Sequence, residues 1–232
     1  MTSQALSDRP PRLYGRRKGR PISAKRTAIV ERRLPELVVD TGESPPSVAS
    51  RLFKGEPTEV RLEIGIGAGE HLVDEAENAP DIGFIGVEPF REGLSKAVAA
   101  IEARDIHNVR LYDDDAALLL DWLPSGSVTR IDLLYPDPWP KRRHRKRRFI
   151  SPVNLDRMAN ALRSGGELRV ATDIADYADW TLLAILRRSE FEWTAEAADA
   201  WRLPWPGWPG TRYESKALRA GRVPIYLTFR RS

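Results

Sequence analysis

Cysteine is absent from this chain of 232 residues. Disulfides, thiolate zinc sites and a cysteine nucleophile are therefore excluded. Histidine is scarce: His71, His107 and His144 stand alone without ligand spacing, so each reads as an ordinary surface or core residue and no metal site is expected. No apolar run approaches the roughly 20 residues that span a bilayer. The N-terminus is basic and polar and lacks the apolar stretch of a secretory signal. No internal repeat is visible. These absences lead to the expectation of a cytoplasmic protein with no membrane partner. What is present is globular in kind, 41% hydrophobic and 30% charged. The length suits one sizeable α/β core with a small appendage.

The net charge of +4 conceals an uneven distribution. Residues 9–26 (RPPRLYGRRKGRPISAKR) hold eight Lys and Arg and no acid, and residues 141–148 (KRRHRKRR) hold seven and no acid. Without those fifteen, the body carries 22 basic residues against 33 acidic ones. One basic run is commonly a solvated tail. Two on an acidic body point to a polyanionic partner, with nucleic acid the leading candidate. Neither run has the apolar face of a membrane-surface helix.

Residues 1–40 read as a basic, partly mobile N-terminal arm, with a short amphipathic element from residue 27. TGESPPS marks a linker, and residues 41–232 read as a single domain. From residue 58 the pattern alternates. Strands are expected at 60–65, 82–88, 109–113, 128–135 and 167–172. Helices are expected after the glycine turn at 65–69, over 91–104, 116–123 and 152–162, and from 174 to 188. Ser164-Gly165-Gly166 should end the fourth helix. FEWTAE (191–196) and PIYLTFR (224–230) are late strands that should pair with each other. This order predicts a Rossmann-like, mostly parallel sheet with an antiparallel C-terminal strand pair and helices on both faces. In such sheets the ligand lies outside the carboxyl ends of the strands.

Those strand ends are acidic. EIGIGAGE (63–70) places Glu63 before Gly65, Gly67 and Gly69. The third glycine of a dinucleotide fingerprint would fall at Glu70, and no P-loop lysine follows, so neither phosphate-binding pattern fits. Glycines let a ligand approach the backbone closely, and an acid beside them suits a cationic ligand. Glu88, ending the second strand, can accept from two ribose hydroxyls. Among Asp113, Asp114 and Asp115 one acid can bind an adenine amino group, or the group can simply cap the next helix. After the fourth strand comes YPDPWPKRRHRKRR (135–148): Pro136 and Pro138 hold Asp137 on a stiff extended turn. Trp139 either stacks on a base or packs in the core. The run behind it is suited to grip phosphates. Asp173 ends the fifth strand, and TRYE (211–214) follows a Trp- and Pro-rich loop.

Together these stretches resemble the bacterial tRNA (guanine-N7)-methyltransferases, from GRRKGR (15–20) to TRYE and the final strand. The PDPWPKRRHRKRR stretch and ATD followed by T-x-Y-E carry most of the likeness. The resemblance implies a class I methyltransferase that uses S-adenosylmethionine to methylate N7 of a guanosine in the tRNA variable loop. It implies cofactor contacts at Glu63, Gly65, Gly67, Gly69, Glu88, Asp115 and Asp137, with Asp137 also catalytic. It assigns Lys141, Asp173, Thr211, Arg212, Tyr213 and Glu214 to the guanosine, and Arg143, His144, Arg145, Lys146, Arg147 and Arg148 to RNA. The segment WRLPWPGWPG (201–210) lies outside the matched motifs.

The residues also suit the chemistry. Guanine N7 has a free lone pair and no proton, so attack on a sulfonium methyl needs alignment rather than a general base. A fixed carboxylate can stabilise the positive charge that moves onto the purine. Two other readings stand beside this one. PDPW is similar to the Asp/Asn-Pro-Pro-aromatic turn of amine-directed nucleic-acid methyltransferases, although its second proline is missing. A non-catalytic RNA-binding protein on the same fold would share the basic runs. Either a monomer or a homodimer fits.

Overall fold

The computed structural model describes Tyr14, Gly19 and residues 21–232. The other residues of the N-terminal arm lie outside the described part, and with them the expectation of a mobile segment.

Seven strands form one sheet in the order β3-β2-β1-β4-β5-β7-β6. They are β1 (Glu59–Ile64), β2 (Ile82–Val87), β3 (Val109–Tyr112), β4 (Val128–Leu134), β5 (Leu162–Thr172), β6 (Phe191–Trp193) and β7 (Ile225–Arg231). The first five pair in parallel. β7 runs antiparallel between β5 and β6, so the two late strands pair as expected. β2 is a near-continuous apolar run, and β1 and β4 are buried at most positions although they carry Arg61, Glu63, Arg130 and Asp132, as strands covered on both faces must pair any charge they hold.

The helices are α1 (Ala24–Leu37), α2 (Glu70–Asn78), α3 (Arg91–Ala103), α4 (Ala116–Trp122), α5 (Pro152–Ala161), α6 (Ala175–Ile185) and α7 (Arg212–Arg219). Two apolar layers sandwich the sheet. One holds Leu62, Ile131, Leu155 and Phe229; the other holds Leu72, Phe84, Ile101 and Leu111. Ile29, Val30 and Leu34 of α1 pack against the second layer, and Arg32 and Arg33 pair with Glu102 of α3. Residues from 24 onward are thus fastened to the domain. Among the described residues no helix is long and apolar enough to cross a membrane.

One element differs from the sequence reading. β5 begins at Leu162, directly after α5, and then bulges before pairing with β4 resumes at Glu167. Gly165 takes φ 75° inside that bulge, so Ser164-Gly165-Gly166 interrupts a strand rather than simply ending a helix.

Beneath α2 lies a buried ion network. Arg130 on β4 donates to Asp132 at 2.7 Å and to Glu75 of α2, which also pairs with Arg61 of β1. Burial alone would raise the Glu75 carboxyl; Arg130 overrides it and holds it below its ordinary range. Truncating Arg130 would strand buried Asp132 and leave Glu75 to Arg61 alone. Arg130→Met is therefore expected to cost about 3–5 kcal/mol in urea unfolding; a loss under 1 kcal/mol would show that water reaches the network.

Candidate active site at the carboxyl edge of the sheet

Because β1 to β5 are parallel, the chain segments leaving them emerge at one edge. The register puts Glu63 beside both Gly86 and Asp132, and Ile64 beside Val87 and Leu133. Tyr135 N–H donates to the Ala171 carbonyl at 2.8 Å, which sets the turn after β4 next to that after β5.

The glycine turn after β1 takes left-handed backbone at Gly65, Gly67 and Gly69, with φ of 81°, 59° and 80°. Its back is tight: a Cβ on Gly93 of α3 would lie 2.5 Å from the Gly67 carbonyl oxygen. Its front is open, since a Cβ on Gly65 would meet nothing within 4 Å. The turn is an open cradle with fixed backbone groups.

Glu88 is buried beside it and accepts from the amides of Gly67 at 2.6 Å and Phe90 at 2.9 Å. Desolvation, together with nearby Asp137 and Glu63, outweighs those bonds and raises its carboxyl above the ordinary range. Glu63 is buried too, and its partner is His71 of α2, whose Nδ1 lies 2.7 Å from Oε2. Burial would depress the imidazole; the Glu63 charge overrides this and holds it above its ordinary 6.5. Asp115 caps α4, accepting from Ala117 N–H at 2.9 Å. Of the two sequence readings of the Asp113–Asp115 group, the cap is what the structure shows: Asp115 caps α4 and lies buried. Asp113 is exposed and Asp114 half-buried.

The turn after β4 is strained. Tyr135 and Trp139, neither a glycine, take φ of 49° and 41°, at about 1–3 kcal/mol each. Asp137 lies between them, and among the described residues its carboxylate has no hydrogen-bonding partner. Although the residue is exposed, protein atoms crowded on one side of its carboxyl desolvate it in part and hold it above the ordinary carboxylate range. Trp139 is half-buried: Arg147 stacks at 4.9 Å from its ring and His144 meets it edge-on at 5.9 Å.

The basic run folds as a 3₁₀ turn over 142–147 and divides by environment. Lys141, Arg142, Arg143 and Lys146 face solvent. Arg145 pairs with Asp176 at 2.7 Å. Arg147 also stacks on Tyr14 at 5.3 Å, placing part of the N-terminal arm at this edge. Arg148 corrects an expectation. Grouped with the RNA contacts by resemblance, it is instead fully buried between the rings of Tyr177 and Trp180, at 5.3 and 5.1 Å. It donates to the Pro138 carbonyl at 2.9 Å and pairs with Asp176. It is the peg that fastens the Asp137 turn to α6, and such a site needs the flat fork of an arginine.

The C-terminal side completes the edge. Thr211 caps α7 by accepting from Glu214 N–H at 3.0 Å. Glu214 accepts from Trp208 Nε1 at 2.6 Å and from the Tyr226 hydroxyl at 2.8 Å. Burial and the Glu214 charge hold the hydroxyls of Tyr226 and neighbouring Tyr135 above their ordinary range, so both stay protonated. The Trp208 ring lies 4.7 Å from His71 and the Trp205 ring 5.2 Å from Trp208. The Tyr213 ring would sit 3.7 Å from a Cβ on Gly67. Sequence reasoning left the 201–210 segment without a role; here it folds against the glycine turn. Arg212 is exposed. Asp173, half-buried, accepts from Arg222 Nε at 2.5 Å.

Known proteins were compared with this arrangement. A family model described as "Putative methyltransferase" matches residues 57–227. The tRNA (guanine-N(7)-)-methyltransferase of Chelativorans sp. (strain BNC1) is 54% identical over 217 residues, 94% of each chain. That of Azorhizobium caulinodans is 50% identical over 233 residues, covering 100% of both. Among solved structures, the 16S rRNA methyltransferase KamB superposes with a TM-score of 0.52 at 17% identity, covering 76% of this chain and 89% of its own. PH0851 superposes with a TM-score of 0.59 at 13% identity, covering 79% and 45%. At these identities the structural likenesses show the fold, a Rossmann-like methyltransferase sheet.

The Glu63–His71 pair has a testable pH signature. A raised histidine contributes stability that is complete below its unfolded pKa and is lost as pH rises through the folded one. The stability difference between wild type and His71→Gln should be largest below about pH 6.5, fall as pH rises from there through the raised value, and level off above it. Urea unfolding across pH reads it; a difference that grows with pH would show the imidazole to be neutral. Asp132 and Glu75 also face this ring and act in the same direction.

Proposed function

Because the chain belongs to the family of tRNA (guanine-N(7)-)-methyltransferases, we propose that the acidic edge after β1, β2, β3 and β4 holds its methyl donor, and that the edge after β4, β5 and α7 holds the target guanosine. The reaction is methylation of tRNA at guanine N7, and S-adenosylmethionine is the methyl donor. The target is the guanosine of the tRNA variable loop, and the enzyme works in the cytoplasm as one domain that takes in α1, with a basic arm ahead of it.

The residues present fit that donor. When bound, S-adenosylmethionine supplies a methyl group made electrophilic by its positive sulfur. The open face at Gly65 lets a ligand lie on the backbone. Glu63, Glu88 and Asp115 offer acceptors to an ammonium, to ribose hydroxyls and to an adenine amino group. Each is fixed by its own donor: His71, the Gly67 and Phe90 amides, and Ala117 N–H. An edge this acidic disfavours phosphate.

Asp137 carries the catalytic part of the reading. Of the acids assigned here to donor and guanosine, it is the one whose carboxylate meets no hydrogen-bond donor among the described residues, and it stands on a turn pegged from behind by Arg148. Charge that develops on the purine during transfer finds a carboxylate already in place. No proton leaves N7, so no base is required, and the protein's task is alignment and electrostatic support. Lys141 at the start of the exposed run, and Thr211 to Glu214 at the start of α7, border the same opening. Arg143 and Lys146, with Lys141, face solvent for phosphate contact; Arg145 reaches phosphate only by sharing its charge with Asp176, and His144 and Arg147 serve through Trp139. The amine-directed reading is disfavoured because the donor family is defined by the ring nitrogen N7.

Two measurements test this. Transfer of labelled methyl to an unmodified tRNA transcript should give 7-methylguanosine, and Asp137→Ala should lower kcat by about 10²–10³-fold, the scale of losing one electrostatic stabiliser. Since its carboxyl is raised, the acid limb of kcat/KM should fall above the usual carboxylate range of about 3.9. Asp137→Asn should abolish that limb, and a limb that survives belongs to another group. In the second, each solvent-facing phosphate contact removed, as in Arg143→Ala or Lys146→Ala, should flatten the log–log salt dependence of tRNA binding by roughly 0.7–0.9. Arg148→Lys should leave that slope unchanged while lowering kcat; equal slopes for all three would take the run out of the interface.

A further inference from the structure

The reading above makes Asp173 a contact of the target guanine, and the following rests on it. β7 runs antiparallel to β5, so the segment entering β7 reaches the edge that β5 leaves; Thr172 pairs with Ile225. Three residues before β7, Arg222 meets Asp173, Nε to Oδ2 at 2.5 Å. The contact is therefore imposed by topology and is not a chance surface pair. Arg222 is the one hydrogen-bonding partner of the Asp173 carboxylate among the described residues. The pair borders a cleft of about 400 Å³ with Trp201, Arg202, Pro224 and Ile225 on its walls. Those walls are mostly apolar and aromatic, a surface on which a base can stack.

We propose that Asp173 and Arg222 act together as the reader of the guanine Watson–Crick edge, with Arg222 a specificity-determining residue of this enzyme. The chemistry is complementary group by group. Guanine presents N1–H and the 2-amino group as donors and O6 as an acceptor; adenine presents an acceptor at N1 and a donor at its 6-amino group. A carboxylate accepts from the first two, and the guanidinium beside it donates to O6. The same pair meets adenine with an unpaired acceptor at half-buried Asp173, which is costly, and with no acceptor for the solvent-facing Arg222, which forfeits that bond.

The pairing also protects the nucleophile. A lone arginine prefers the O6/N7 fork of guanine, which would mask the lone pair that must attack. With Nε committed to Asp173, Arg222 presents its terminal nitrogens from the Watson–Crick side, and N7 stays open to the methyl donor.

The test uses the full chain and tRNA transcripts in which the methylated guanosine, located first in wild-type product, is replaced by 2-aminopurine. That base keeps N7 and the 2-amino group and lacks O6 and N1–H. Arg222→Ala should lower kcat/KM on the guanosine transcript by about 10–100-fold, with little further loss on the 2-aminopurine transcript. Arg222→Lys, which keeps the charge beside Asp173 and loses the fork, should fall between. An equal loss on both transcripts would assign Arg222 to folding alone. No loss on guanosine would remove it from recognition while leaving the N7 reaction standing. Failure of the wild-type chain to make 7-methylguanosine at all would overturn the functional reading and this proposal with it.

Discussion

Six carboxylates converge on one edge of this sheet, and the structure depends on how their charges are compensated. Parallel strands deliver Glu63, Glu88, Asp115, Asp137 and Asp173 to the same side, and α7 brings Glu214 to meet them. Left alone, such a cluster would repel itself and protonate. Each member but one has a specific donor. His71 serves Glu63, two backbone amides serve Glu88, and a helix N-terminus serves Asp115. Arg222 serves Asp173, and an indole and a phenol serve Glu214. The donors fix each oxygen in space, which turns a repulsive cluster into a set of aimed acceptors. Asp137 is the exception. In the proposed reading its charge is kept for the positive charge that appears during methyl transfer, and the turn that carries it holds Tyr135 and Trp139 in strained left-handed backbone.

The same compensation explains how the cofactor side and the substrate side are joined. His71 holds Glu63 from below and carries the Trp208 ring on its other side. Trp208 is in turn held by Glu214, at the start of α7. The strand end before the glycine turn and the start of α7 are thus two ends of one packed chain of side chains. A network of this kind is high-stakes, because removing any donor leaves a buried acceptor unsatisfied.

Much of this was legible in the sequence. Strand order, the antiparallel late pair and the acidic strand ends follow from alternation, from glycine turns and from the rule that ligands sit at the carboxyl ends of parallel strands. What was not legible depends on distance in sequence. Glu63 precedes the glycine turn and His71 follows it in the first turn of α2, eight residues on, and nothing local marks the histidine as a partner. Asp173 and Arg222 are 49 residues apart and meet only because β7 is antiparallel. The 201–210 segment lies outside any motif, yet its indoles fill space against Tyr226 and His71. Arg148 misleads in the other direction: inside a run of identical charges its burial is invisible, and only the fold reveals that Tyr177 and Trp180 enclose it.

The densest positive charge of the chain stands directly behind a rigid acidic turn, and the geometry supplies a physical reason. A turn bracketed by Pro136 and Pro138 has fewer backbone donors to anchor it. Arg148 supplies the missing bond through the Pro138 carbonyl. Asp176 then binds Arg148 and Arg145 together, so that one acid on α6 ties the buried peg to the exposed face of the run. The solvent-facing part of the run and the buried peg behind Asp137 thus share a single carboxylate, which is why both fit within eight consecutive residues.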